Sequence, residues 1–153
     1  MFEKTPKKQG LRVMTLPAGW SVAMACALAG LWGAPAHAEV TLVVNAVNVA
    51  QLDEAYAAKL FLRQVKTFPD GSAAAPVNQK EGASTEEFRS KILKKNAAQF
   101  KAYWAQQMFT GGGKPPSELE GDDAVLKYVA ETPGGIGYVE AGKTRAGVRV
   151  LKK

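Results

Sequence analysis

Over residues 39–153, short β-branched runs alternate with stretches whose apolar residues recur every three or four positions. Val40-Thr41-Leu42-Val43-Val44 is continuously apolar apart from one threonine, and it predicts a buried strand ending at Asn45. A loop follows through Asn48. Leu52, Tyr56 and Leu60 then fall four residues apart and predict an amphipathic helix of about 10 residues. Asp53 and Glu54 sit in its first turn, where the helix dipole favours acids. Pro69-Asp70-Gly71 marks a turn, and Ala75-Pro76-Val77-Asn78 a short strand after it.

Ser84-Thr85-Glu86-Glu87 has the form of a capping box ahead of Phe88, Ile92 and Leu93, so a helix is expected to start at Ser84 and end near Lys95-Asn96. Phe100, Tyr103, Trp104, Gln107 and Met108 share the face of a further helix, which Gly111-Gly112-Gly113 stops. Pro115-Pro116 opens an extended connection. Asp122 is expected to cap a helix through Val125, Leu126 and Val129, ended by Thr132-Pro133-Gly134. Gly135-Ile136-Gly137-Tyr138-Val139 reads as a strand whose glycines admit a close neighbour, backbone or ligand. Val148-Arg149-Val150-Leu151 is the last strand. Strands alternating with four helices predict an α/β domain, a small mixed sheet flanked by about four helices.

The pattern changes before residue 39. Lys4, Lys7, Lys8 and Arg12 precede a run from Val13 to Ala34 without a charge, which closes on Ala36-His37-Ala38. A basic segment, an apolar segment and a small-x-small site make up a secretory signal. The expected organisation is therefore a cleavable signal over residues 1–38, cut between Ala38 and Glu39, and one exported domain over 39–153 in the periplasm. An uncleaved anchor is the first rival, opposed by Pro17, Gly19, Gly30 and Pro35. A lipid on Cys26 is the second, opposed by the lack of leucine in Ala23-Met24-Ala25.

Cleavage there would remove Cys26 and His37, the only cysteine and the only histidine. Triads built on histidine, cysteine nucleophiles and the usual zinc sites then have no residues to use. Asp122-Asp123 and Glu86-Glu87 are accounted for as helix-start acids, so no enzyme, metal or cofactor is expected. Of 20 Lys+Arg and 14 Asp+Glu, four and one lie before Glu39, which leaves the domain near +3. Lys91, Lys94, Lys95 and Lys101 are the only basic cluster, and without interleaved aromatics it does not predict nucleic-acid binding. Lys114 after the three glycines is followed by Pro115, not by Ser or Thr, so that loop is no phosphate P-loop. Anion binding has one candidate. Gly82-Ala83-Ser84-Thr85 leads into a helix whose free N–H groups attract negative charge, with Lys80 close by. The competing explanation is that Ser84 only caps its own helix.

Several segments together point to a family. They are Val43-Val44-Asn45, Lys59-Leu60-Phe61 with Phe68-Pro69-Asp70-Gly71, Pro76-Val77-Asn78-Gln79, Phe88-Arg89, Tyr103-Trp104 with Met108-Phe109-Thr110-Gly111, Pro115-Pro116, and Thr132-Pro133-Gly134 running into Gly135-Ile136-Gly137-Tyr138-Val139. Their order resembles the short proteins related to phosphate ABC transporter substrate-binding proteins, of the type 2 periplasmic binding protein fold. The resemblance implies one lobe of such a protein, with phosphate or a related oxyanion as ligand and Asn78, Ser84 and Thr85 as hydrogen-bond donors. It implies as partners an ABC permease or another envelope protein, or a second copy of the chain. The family's anion loop carries an arginine near a Ser-Gly-Thr motif. Here the matching stretch keeps Ser84 and Thr85, lacks the arginine and has Glu81. The alternative function is a non-catalytic interaction or scaffold module derived from one lobe.

Overall fold

Val40 to Asn45 form the strand expected from their hydrophobicity (β1), and the rest of the domain is built around it. A computed structural model describes residues 39–151; the expected signal segment through Ala38 lies outside them. After β1 come α1 (Glu54–Phe61), β2 (Ala75–Pro76), β3 (Asn78–Gln79), α2 (Ala83–Lys91) and α3 (Ala97–Phe109). β4 (Glu118–Leu119), α4 (Gly121–Glu131), β5 (Gly135–Glu140) and β6 (Val148–Val150) complete the order. The α/β expectation holds. The main sheet is mixed, in the order β2-β5-β1-β6, and a second small sheet pairs β3 with β4. β1 runs antiparallel to β5 and β6, whereas β2 is parallel to β5.

Successive residues of a strand point to opposite faces, and β1 divides the core accordingly. Leu42 and Val44 join Ile136 and Tyr138 of β5 against Leu60 and Phe61 of α1 and Phe88 of α2. Val43 and Val139 face the other way, against Val125, Leu126 and Val129 of α4. The sheet is thus buried on both sides, which explains the unbroken hydrophobicity of β1. The glycines of β5 serve this packing. A Cβ at Gly137 would lie 2.5 Å from Val125 Cγ1, and one at Gly135 would lie 2.9 Å from Val129 Cα. The close neighbour is α4.

Asn45 turns the chain out of β1 and closes α4 at the same time. Its Nδ2 donates to the carbonyls of Val129 and Ala130 at 2.8 and 3.0 Å, two of the orphan acceptors at that helix end. Arg149 of β6 donates from Nε and Nη2 to the Asn48 carbonyl and from Nη2 to that of Ala50, fixing the loop after β1.

Four local expectations are corrected. The strand expected over Ala75–Asn78 is two short pieces in different sheets. Pro76 has no N–H for a ladder, and beyond it Val77 donates to Ile136 while Asn78 donates to Ser117. The capping box at Ser84 does not form. Gly82 is the N-cap, α2 begins at Ala83, and no side chain caps it. The fourth box residue, Glu87, is buried and pairs with Lys91 instead. α2 also ends at Lys91, short of Lys95-Asn96, because the chain turns through Lys94 at φ 53°. The capping box belongs to α3, where Asn96 and Gln99 exchange side-chain and backbone bonds. Finally, Glu120 takes the N-cap position of α4 and Asp122 does not cap it.

Candidate functional site

The junction from β3 into α2 holds all three residues expected to bind an anion. Asn78 lies buried on β3, 5% exposed, while its backbone N–H pairs with the Ser117 carbonyl. Ser84 stands half-buried in the first turn of α2. Thr85 follows it, with its hydroxyl turned inward to donate to the Lys80 carbonyl at 2.8 Å. The same hydroxyl accepts from Tyr138 Oη at 3.2 Å. A threonine hydroxyl has one proton, so Thr85 offers a ligand its backbone N–H and not its side-chain donor.

Tyr138 organises this junction from β5. Its hydroxyl accepts the Gln79 N–H at 3.0 Å, and burial pushes its pKa up. The Gln79 side chain donates to the Tyr138 carbonyl at 2.7 Å and to Asp122 Oδ1 at 2.8 Å. Asp122 in turn accepts from Lys143 Nζ at 2.6 Å and from the Glu140 N–H at 3.2 Å. Burial pushes the Asp122 carboxyl up, but the bonds from Lys143, Gln79 and Glu140 outweigh it and hold the group below its ordinary value. A residue expected to cap its own helix therefore ties α4 to β3 and β5. At the rim, Lys80 pairs with Glu120, which leaves it less free to meet an anion than the sequence suggests.

A guanidinium from further along α2 reaches the segment between β3 and α2. Arg89 Nη1 and Nη2 donate to the two carboxylate oxygens of Glu81 at 2.6 and 2.7 Å. The Arg89 bonds hold the Glu81 carboxyl below its ordinary range, and the same bonds raise Arg89. In the sequence Arg89 stands out only within the Phe88-Arg89 segment of the resemblance, with no part in the expected site. The available signal is its place two turns into a helix, from which a side chain leans back towards the N-terminus.

A separate groove of about 480 Å³ is lined mainly by apolar groups of Val40, Leu42, Leu52, Ile92 and Leu151, and none of Asn78, Ser84 or Thr85 borders it. Among the described residues no group of His, Cys, Asp and Glu is placed to hold a metal ion. No helix there is long and apolar enough to cross a membrane.

Solved structures share this architecture. A phosphate ABC transporter substrate-binding protein of Clostridium perfringens, solved with bound phosphate, aligns over 74% of this chain and 44% of its own, with 12% identity and a TM-score of 0.56. An ABC-type phosphate transport receptor from Vibrio cholerae aligns over 74% and 45%, again at 12% identity and 0.56. PstS from Borrelia burgdorferi aligns over 73% and 46%, at 12% identity and 0.54. The chain shares its fold with part of each of these proteins, and it spans less than half the length of each. Neither a family profile nor a curated sequence matches it.

Proposed function

We propose that this chain is an exported, non-catalytic solute-binding protein, equivalent to one lobe, which takes phosphate or a related oxyanion at the β3–α2 junction. The observation that carries the reading is the first turn of α2. It opens at Gly82 with no side-chain cap, so its N–H groups and partial positive charge are offered to whatever lies in front of them. Ser84 and Asn78 add side-chain donors and Thr85 a backbone N–H. The neighbours of like fold include one holding phosphate, which supports the ligand class. A single lobe leaves the anion facing water, where screening weakens charged contacts. Affinity in the range of about 1–10 mM follows, worth roughly 3–4 kcal/mol.

The test is calorimetry of protein recovered from the cell envelope after expression of the full chain, titrated with phosphate and sulfate. Heat that saturates, and weakens in Ser84→Ala, supports the reading. No heat at millimolar anion rejects it. Mass spectrometry of the same protein checks removal of residues 1–38, and crosslinking in the envelope checks for an ABC permease.

A second reading, an interaction or scaffold module, is favoured by α3. Phe109 is 96% exposed at its end beside Met108, 55% exposed. The buried Trp104 Nε1 has no acceptor among the described residues. Only the exposed Met108 and Phe109, and not that inaccessible nitrogen, are within reach of a second copy or an envelope protein that would cover this end of α3. Light scattering after size exclusion, with Phe109→Ser as control, separates this from a monomeric binder.

A further inference from the structure

Arg89 and Glu81 form an ion pair whose two members are very unequally placed. The Arg89 side chain is 4% exposed and that of Glu81 66% exposed. The guanidinium is fixed from below. Its carbon lies 5.7 Å from the centroid of the Phe100 ring on α3, and its aliphatic stem rises from the buried side of α2. The carboxylate instead hangs from the short segment between β3 and α2 and is largely exposed to solvent. Both terminal nitrogens of the fork are engaged, at 2.6 and 2.7 Å.

This geometry belongs to a planar fork receiving an anion with two oxygens, and such a fork accepts a carboxylate or a phosphate with the same pair of parallel bonds. A buried guanidinium stripped of its counter-charge is strongly unfavourable, so Glu81 cannot simply leave. It can be exchanged for another anion. Lys101 adds positive potential at the position of the Glu81 carboxylate, which would favour the more highly charged of two competing anions.

We propose that Arg89 is an oxyanion-binding residue which Glu81 keeps occupied, the carboxylate acting as a tethered stand-in for the ligand that phosphate must displace. The inference rests on the oxyanion reading above and adds to it the counter-charge and a device that sets affinity. A group tethered by so short a segment competes at an effective concentration of about millimolar or higher, so the free protein binds external anion weakly for a reason separate from its exposure. Binding then frees Glu81 to solvent, and the segment Lys80–Gly82 changes conformation as ligand enters.

The experiment is calorimetry with inorganic phosphate on protein obtained from the full chain, comparing wild type, Glu81→Gln, Glu81→Asp and the double variant Glu81→Gln/Arg89→Lys. Circular dichroism establishes that each is folded. The expected result is phosphate binding at least about tenfold tighter in Glu81→Gln, since a neutral amide is a poorer rival for a guanidinium. The gain should vanish in the double variant. Glu81→Asp keeps the charge but shortens the reach, so it should tighten binding too, and it decides the matter if Glu81→Gln does not fold. Wild-type binding that Ser84→Ala weakens but neither Glu81 variant tightens overturns the tethered carboxylate and leaves the α2 site standing. Phosphate binding by none of the proteins overturns both.

Discussion

Tyr138 lies flat on Phe88, their ring centroids 3.9 Å apart and their planes 6° from parallel. The contact joins the central sheet to α2, and Phe61 closes the cluster edge-on to Phe88 at 4.7 Å. Because the Tyr138 hydroxyl sits at the far end of the same ring, apolar packing and the polar β3–α2 junction share one residue. The ring positions the hydroxyl, and the hydroxyl holds Gln79 and Thr85.

Tyr138→Phe should keep the stack and lose the hydroxyl. The buried Gln79 N–H would then be left without its acceptor, a loss of about 1–3 kcal/mol. Urea unfolding should show a lower midpoint with an unchanged m-value. A change below about 0.5 kcal/mol would mean that the hydroxyl does not hold the junction together.

Gly137→Ala and Gly82→Ala should behave differently. At Gly137 a Cβ meets Val125 Cγ1 at 2.5 Å, and overpacking of this kind costs about 1–3 kcal/mol. At Gly82 the nearest atom to such a Cβ is 4.0 Å away, so no clash arises and only the poorer N-capping of alanine remains, about 0.5–1 kcal/mol. Thermal melts of the two variants check this, and equal losses would contradict the close approach of α4 to β5.

Asp122 gives the fold an acid-sensitive tie. Its carboxyl is held below the ordinary 3.8, so it favours the folded state whenever it is ionised. That contribution is complete above the unfolded-state value near 3.8 and is lost as pH falls through the lower folded-state value. Asp122→Asn should therefore lower stability at neutral pH, by about 1–2 kcal/mol, and flatten the acid limb of the stability curve. Denaturant melts from pH 2 to pH 7 would show parallel curves if the carboxylate made no net contribution.

The layered fold was legible because it depends on runs of residues. β1, β5 and the apolar stripes of α1 and α4 carry their periodicity locally, and Thr132-Pro133-Gly134 and Gly111–Gly113 stop helices where the pattern stops. The junction was legible only as a place. Which side chain faces outward there depends on contacts across long separations, Gln79 with Tyr138 and Asp122, Thr85 with Tyr138, and none of these leaves a local signal. The same is true of Asp122. Its sequence context fits a cap so well that a bond to β3 is invisible until the sheet is assembled.

Two serine-like helix starts separate these levels by experiment. By sequence Ser84 is a cap, whereas in the structure it is an ordinary first-turn residue behind Gly82, and the side-chain caps belong to Asn96 and Asp53. Asn96→Ala should cost about 1 kcal/mol, since it removes the bond to the Gln99 N–H at 2.8 Å and breaks a reciprocal box. Ser84→Ala should leave the melting temperature within the small range of surface substitutions, about 0.5 kcal/mol either way, while weakening phosphate binding. The two readouts decide between the roles of Ser84. A loss of stability equal to that of Asn96→Ala, with anion binding unchanged, would return it to the part of a cap.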